Sequence, residues 1–282
     1  TLCNDAKQTV QLEQTARNTE VAQTAHVFQT IQENPNAQVI QNPEPAQVAK
    51  PPQTVQTVQT NQTTQTTQID HQSFDILLKK YVAQSGNVNY KSFKNSATDK
   101  AALEEYIKTL STNAPTDKTA KKEKMAFWIN AYNALTIKLI LDKYPLSKIT
   151  DLDGGKTWDV KRYTFDGKKL SLNDIENNIL RPMGDARIHF AINCAAKSCP
   201  PLANEAFTAE NLETLLAKRT KRFVNDDKAN ALKINEIKVS KIFEWYAKDF
   251  GNLIVFLNKY APIKLEANAR ILYQEYDWRL NE

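Results

Sequence analysis

The chain has 282 residues and a formal net charge of +5, from 37 Lys and Arg against 32 Asp and Glu. Its longest apolar run, residues 127–141, is interrupted by Asn130, Asn133 and Lys138, and it is shorter than the ~20 residues that a membrane helix needs. The lysine-rich patch at residues 118–124 has no interleaved aromatic residues, so we predict neither a transmembrane span nor a nucleic-acid partner.

Residues 1–72 differ in composition from the rest of the chain. They are dominated by Gln, Thr, Val, Ala and Asn, and residues 53–68 read QTVQTVQTNQTTQTTQ. Such a tract cannot bury enough apolar surface to offset its ordering entropy, so we predict a disordered stalk at 1–72 and one globular domain at 73–282. A polar stalk before a compact domain is typical of an exported bacterial protein. We therefore expect a periplasmic or extracellular location, and peripheral or tethered membrane association stays open.

The elements of the domain follow one another without regular alternation of strands and helices. Helical patterns cover about residues 73–81, 98–110, 123–144, 172–180, 208–224, 240–250 and 252–260, with a hairpin at 158–172, a second at 231–239, and strands at 187–194 and 269–276. The segment 123–144 is apolar all round, which is typical of a core helix. This order predicts an α+β fold, a mostly helical single domain with a small antiparallel sheet.

The stretch 187–202, RIHFAINCAAKSCPPL, concentrates the most reactive side chains of the domain. His189 is followed by Cys194 and Cys199, and imidazole and thiol are the groups most easily tuned to react near neutral pH. Along a regular strand His189 and Cys194 point to opposite faces. They can meet only if the chain turns at Asn193.

Three interpretations of these residues stay open. Cys194 and Cys199 can form a disulfide, as is common in exported proteins. One of them can instead be a nucleophile with His189 as its base, and Asn130 or Asn193 would then orient the imidazole or stabilise charge. In the third interpretation, all three reactive side chains bind zinc.

Polar residues outside this stretch have structural and functional interpretations. Asn130 and Asn133 share a face of the core helix, and tying that helix to neighbouring loops is favoured over catalysis. Glu176 and Arg181 could pair across their helix. Because a five-residue offset is not ideal, each is also expected to find a partner elsewhere.

Four sequence blocks, FWINAYNALT, LSLNDIENNILRP, RIHFAINCAAKSCPPL and KIFEWYAKDFG, together resemble the bacterial and plant family called domain of unknown function 547, over about residues 73–282. The resemblance implies that the family's pattern features Asn130, Asn133, Glu176, Arg181, His189, Cys194, Ser198 and Cys199. It brings no settled activity. We take Asn133, Glu176, Arg181 and Ser198 as candidate binding residues on this basis.

The expected function is a thiol-dependent hydrolase or acyl transferase that acts on amide or ester bonds in the cell envelope. Its candidate catalytic residues are His189, Cys194, Cys199, Asn130 and Asn193. The alternative is a non-enzymatic envelope module, for binding or structure, with a Cys194–Cys199 disulfide. We predict no cofactor and no bound metal, and the expected partner is an envelope peptide or glycan.

Overall fold

The computed structural model describes residues 69–282, so nearly all of the predicted stalk, residues 1–72, lies outside the described residues. From Ile69 onward the chain belongs to one compact unit. His71 is already buried in it, and its Nδ1 lies 2.7 Å from the hydroxyl oxygen of Tyr106. The globular part therefore begins before the predicted boundary at Ser73.

The described chain is mostly helical, as predicted. The α-helices are α1 Gln72–Tyr81, α2 Tyr90–Asn95, α3 Ala97–Ser111, α4 Lys121–Lys143, α5 Leu212–Val224, α6 Ile242–Trp245, α7 Ala247–Phe250 and α8 Leu253–Leu257. A π-helix spans Asp174–Leu180, and 3-10 helices span Ile149–Gly155, Thr157–Asp159, Arg181–Met183 and Ala186–Phe190. Among residues 69–282, no helix has the length and apolar character that crossing a bilayer requires.

Helix α4 is the centre of the fold. Almost every residue from Met125 to Leu141 is buried, so the helix is enclosed on all sides, as its apolar circumference predicts. It contacts α2, α3 and the π-helix. The polar side chains of its buried stretch, those of Asn130, Asn133 and Thr136, therefore face protein, and each needs a hydrogen-bonding partner there.

The strands form two small sheets. In the first, β1 Tyr163–Phe165 pairs antiparallel with β2 Lys168–Leu170 across the predicted Asp166-Gly167 turn, where both residues have positive φ. In the second, β3 Ala231–Leu232 pairs antiparallel with β4 Glu236–Val239. The last strand, β5 Arg270–Tyr273, joins β4 in parallel. The predicted α+β fold with a small antiparallel sheet is confirmed, with one parallel pairing added.

The predicted strand at 187–194 is wrong. Ala186–Phe190 forms a 3-10 helix whose first turn is closed by the Asp185 side chain, which accepts a hydrogen bond from the backbone N–H of Arg187 at 2.9 Å. The chain then turns, and Ala191 and Ile192 both donate to the carbonyl of Ile188. Three consecutive residues, Ile188 to Phe190, are buried. The alternation of apolar and polar residues predicts a strand with one buried face. In the structure, α5 and aromatic rings around Phe190 pack against the segment and cover it on every side.

Three helix details also differ from the sequence interpretation. The predicted helix at 240–250 is broken at Tyr246 into α6 and α7. Ser96 caps α3 by accepting from the N–H of Asp99 at 3.3 Å, so this helix begins just before its predicted start at residue 98. Helix α2, which follows the turn at Gly86, has no counterpart among the predicted helices.

Candidate functional site

The imidazole of His189 is held on two sides. Its Nε2 lies 2.8 Å from Oδ2 of Asp249, and its ring stacks on the Tyr246 ring with centroids 3.9 Å apart. Because the carboxylate can only accept, Nε2 carries the hydrogen and Nδ1 is left as the ring's acceptor. The 3-10 helix Ala186–Phe190 positions His189. The break between α6 and α7 positions its two partners, Tyr246 and Asp249.

Asp249 also binds the guanidinium of Arg181. Nε and Nη2 of Arg181 donate to the two carboxylate oxygens at 2.7 and 2.9 Å. Burial on its own raises the pKa of Asp249, but the hydrogen bonds from His189 and Arg181 hold that pKa well below its usual range. Asp249 is therefore a permanent anion beside the imidazole. It lies in the block KIFEWYAKDFG, and the rule that a functional histidine needs an orienting acceptor could have identified it.

Glu176 is buried, and its carboxylate lies near Tyr246, the residue that stacks on His189. Burial, followed by the nearby Glu176 carboxylate, raises the pKa of Tyr246 well above its ordinary value, so its hydroxyl stays protonated. Arg181 lies over the same ring, with its guanidinium carbon 5.3 Å from the centroid. Glu176 and Arg181 thus meet partners elsewhere, which was one of the two expectations.

The two cysteines of the domain lie side by side as free thiols. The backbone N–H of Cys194 donates to Sγ of Cys199 at 2.9 Å, and Sγ of Cys194 lies 3.2 Å from the hydroxyl oxygen of Tyr276. Cys194 is partly exposed, whereas Cys199 is buried. Cys194 is therefore the more exposed of the two residues.

The surroundings give the two thiols different acidities. Burial raises the pKa of Cys194, but hydrogen bonds from Cys199, from Tyr276 and from the backbone N–H of Ala196 outweigh it, and the net pKa is lowered. Burial and the neighbouring Cys194 raise the pKa of Cys199 well above its ordinary value. The negative charge of a singly deprotonated pair therefore lies on Cys194, the thiol that reagents can reach.

The predicted His–Cys contact and the zinc interpretation find no direct geometric support. Within residues 69–282, no hydrogen bond joins the imidazole of His189 to Cys194 or Cys199. The same part of the chain holds no group of three or more His, Cys, Asp or Glu side chains arranged to bind a metal ion.

Both asparagines of α4 bind backbone, as the structural interpretation expected. Asn130 donates to the carbonyl of Phe207 at 2.7 Å and accepts from its N–H at 3.0 Å. Asn133 donates to the carbonyl of Ala191 at 2.9 Å and accepts from the N–H of Asn193 at 2.8 Å. Asn133 thus fixes the turn that leads into Cys194, whereas Asn130 fixes a loop further along the chain.

Asn193 is the residue at which the chain turns. Its side-chain amide donates to the carbonyl of Pro200 at 2.9 Å, and its side-chain oxygen accepts from the N–H of Ala195 at 2.9 Å. Ala195 has a φ of 60°, in the left-handed region that costs a non-glycine residue roughly 1–2 kcal/mol. The cysteine loop is thus held in a strained backbone conformation by side-chain hydrogen bonds.

The C-terminal segment completes the site, and the sequence interpretation missed it. The Ser198 hydroxyl accepts from the N–H of Asp277 at 2.8 Å, and the Ser198 N–H donates to the Asp277 carbonyl at 3.2 Å. The N–H of Asn281 donates to the carbonyl of Ala195 at 3.1 Å, and the Asn281 side chain donates to that of Asn193 at 3.2 Å. Ser198 therefore anchors this segment along the cysteine loop.

Beside Cys194 the same segment builds an aromatic cluster. Tyr276 contacts Trp278 and Trp245 at centroid distances of 4.6 and 4.8 Å, and Trp278 contacts the buried Trp158 at 5.8 Å. The indole N–H of Trp245 is buried and has no hydrogen-bond partner. Because no motif joins these residues in sequence, only the tertiary fold shows that they surround the thiol.

Residues 116–224 match the family model described as Protein of unknown function, DUF547, which confirms the resemblance drawn from the sequence blocks. All nine candidate residues lie in the matched range: Asn130, Asn133, Glu176, Arg181, His189, Asn193, Cys194, Ser198 and Cys199. Asp249 and Tyr276 lie beyond it. Comparisons with curated proteins and with solved structures found no match to the chain.

Proposed function

We propose that this domain is a thiol-dependent hydrolase or acyl transferase whose nucleophile is Cys194. The observation that carries the proposal is the environment of Cys194, a partly exposed residue whose sulfur lies 3.2 Å from the Tyr276 hydroxyl and whose pKa hydrogen bonds lower. A lowered thiol pKa enlarges the fraction of thiolate, the form that attacks an acyl carbon. Cys199, buried and with a raised pKa, keeps its proton and acts as a donor to the nucleophile.

In the proposed reaction the Cys194 sulfur forms a thioester with the acyl group, and the leaving amine or alcohol takes up a proton. Water or an acceptor nucleophile then attacks the thioester and restores the thiolate. We assign the proton transfers to His189, whose Nδ1 is the ring nitrogen not engaged by Asp249. The ionised Asp249 stabilises the imidazolium during these steps.

We further propose that the substrate is an amide or ester of the cell envelope and that the chain acts outside the cytoplasm. The support is compositional. A Gln/Thr-rich stretch, residues 53–68, precedes the domain, and such polar stretches space exported domains from a membrane. The activity proposal does not depend on this location.

The test is trapping of an acyl-enzyme. Reduced protein is incubated with p-nitrophenyl acetate and with envelope-type amide substrates, and the acylated residue is mapped by mass spectrometry. We expect one acetyl group on Cys194, with nitrophenol released in a burst. Cys194→Ala abolishes both signals, Cys199→Ala slows acylation because it removes a donor to the nucleophile, and His189→Ala slows deacylation.

The proposal fails if Cys194→Ala still turns over the substrates. It also fails if Cys194 is readily alkylated by iodoacetamide and yet no ester or amide acylates it. A folded state of each variant is verified by circular dichroism, so that loss of structure is not read as loss of chemistry.

A second candidate function, ligand binding without catalysis, is supported by the aromatic cluster. Trp245, Tyr276 and Trp278 are partly exposed. Flat, partly exposed aromatic faces suit a glycan or peptide. Tryptophan fluorescence titrated with envelope glycans and peptides tests this function, and binding that survives Cys194→Ala without any turnover favours it over the enzyme.

A further inference from the structure

We propose that Cys194 and Cys199 are a reversible dithiol pair, in which a hydroperoxide oxidises Cys194 and Cys199 resolves the product as a disulfide. The proposal goes beyond acyl transfer and does not depend on it. It concerns a modification site built from two side chains of one loop.

The first support is the closeness of the two side chains. Sγ of Cys199 accepts a hydrogen bond from the backbone N–H of Cys194 at 2.9 Å. The loop returns on itself because the N–H of Cys199 donates to the carbonyl of Ala196 at 3.0 Å. A disulfide requires the two side chains to approach across a short Cα separation, and this loop already brings the Cys199 sulfur against the backbone of Cys194.

The second support is the asymmetry of exposure. Cys194 is partly exposed, whereas Cys199 retains 7% of its accessible surface. A soluble oxidant therefore reaches Cys194 first. An accessible thiol of lowered pKa beside a buried thiol of raised pKa is the arrangement of an attacking and a resolving cysteine.

The chemistry balances with the hydroperoxide as the only co-reactant. The Cys194 thiolate attacks the peroxide oxygen, an S–O bond forms, the O–O bond breaks, and the leaving oxygen takes a proton to depart as an alcohol, or as water from hydrogen peroxide. Cys194 is now a sulfenic acid and the peroxide has been reduced by two electrons. The Cys199 sulfur then attacks the Cys194 sulfur, the S–S bond forms, the S–O bond breaks, and hydroxide leaves as water with the Cys199 proton.

Two neighbours support these steps. The Tyr276 hydroxyl, 3.2 Å from the Cys194 sulfur, stays protonated because burial raises its pKa well above the ordinary value. It can donate to the departing peroxide oxygen. The Ser198–Asp277 hydrogen bonds hold the loop between the cysteines against the C-terminal segment, so the second step needs no large opening.

The experiment uses the full chain with Cys3→Ser as background, so that the only cysteines are the two of the loop. Reduced protein is treated with one equivalent of hydrogen peroxide, quenched with N-ethylmaleimide in denaturing urea so that buried Cys199 is also labelled, and mapped by mass spectrometry. We expect loss of both alkylatable thiols, a disulfide-linked peptide containing Cys194 and Cys199, and recovery of both thiols with dithiothreitol. In Cys199→Ser the reaction stops at a sulfenic acid on Cys194, which dimedone traps, and in Cys194→Ser Cys199 stays reduced.

The proposal is overturned if both thiols remain alkylatable after peroxide, or if Cys194→Ser leaves Cys199 equally oxidisable. It is also overturned if the cross-link joins two chains instead of two residues of one chain. Dimedone labelling of Cys194 in the two-cysteine protein, with no disulfide formed, would show that Cys199 does not resolve and would likewise refute the pair.

Discussion

The hydroxyl oxygen of Tyr276 lies 3.2 Å from the sulfur of Cys194, although 82 residues separate the two in sequence. Burial raises the pKa of the tyrosine and its hydroxyl remains protonated, so it donates to the sulfur and favours the thiolate. This contact links the C-terminal segment directly to the reactivity of the thiol.

Tyr276→Phe removes that donor and should raise the pKa of Cys194. In the parent protein the lowered pKa means that alkylation, which follows the thiolate, reaches half its maximal rate below pH 9.0, the ordinary thiol value. In the variant we expect the midpoint to rise and the rate near neutral pH to fall about three- to tenfold. The measurement is the rate of iodoacetamide alkylation at Cys194 as a function of pH, with Tyr273→Phe on β5 as the matched control. Identical pH profiles for the parent and Tyr276→Phe would contradict the role assigned to the Tyr276 hydroxyl.

Asn133→Ala and Asn130→Ala form a matched pair on one helix. Each removes two buried hydrogen bonds to backbone, and each unpaired group costs about 1–3 kcal/mol, so both variants should lose a comparable free energy of unfolding. Only Asn133 binds the turn before Cys194. We therefore expect Cys199 to become alkylatable in Asn133→Ala and to stay protected in Asn130→Ala.

Urea unfolding and mass-resolved alkylation measure the two effects. A loss of ester or amide turnover in Asn130→Ala without a loss of stability would contradict a purely structural role for Asn130. It would support the catalytic role that the sequence also left open for this residue. Equal protection of Cys199 in both variants would show that the turn does not depend on Asn133.

The parts of the fold that the sequence predicted are those with local causes. Apolar residues all round residues 123–144 require burial, and Asp166-Gly167 requires a tight hairpin turn, so α4 and the first hairpin follow from short patterns. The alternation of apolar and polar residues around Ile188 to Phe190 predicts a strand, and this prediction is wrong. Contacts with α5 bury the segment from several directions, so it forms a 3-10 helix instead. Tertiary packing overrode a weak local pattern there.

The candidate site divides in the same way. His189, Cys194 and Cys199 could be found because their chemistry is recognisable in isolation. Asp249 lies 60 residues from His189 and is indicated only by its place in the block KIFEWYAKDFG, whereas Tyr276, 82 residues from Cys194, carries no comparable signal. Their contribution exists only after the C-terminal half has folded back over the loop.

Asp249→Asn should destabilise the domain by about 1.5–3 kcal/mol at neutral pH, because it removes the charge that His189 and Arg181 share. The folded pKa of Asp249 is depressed, so its stabilisation is fully present above the unfolded value of 3.8 and is lost as the pH falls through the folded pKa. The gap between parent and variant should therefore be full at about pH 6 and narrow at acid pH.

Urea unfolding of parent and variant at a series of pH values measures this gap. Asp142→Asn is the control, because its ion pair with Lys138 is exposed on α4 and should contribute less than about 1 kcal/mol. A gap for Asp249→Asn that is no larger than the control's, or that widens in acid, would refute the role assigned to the carboxylate.

His71 should make the stability of the domain depend on pH between about pH 4 and pH 6.5. Burial lowers its pKa from 6.5 to about 4, although Asp70 opposes the shift, and Nδ1 of the ring forms a hydrogen bond with the Tyr106 hydroxyl. Between these two pH values the unfolded chain binds a proton that the folded chain does not. The free energy of unfolding therefore falls as the pH falls from about 6.5 to about 4, by on the order of 2–3 kcal/mol.

His71→Gln removes this slope, whereas Tyr106→Phe retains most of it because burial is the larger cause of the shifted pKa. Urea unfolding across the window measures both variants, and a slope that survives His71→Gln unchanged would mean that His71 is not buried in the folded protein, and that the domain begins after it.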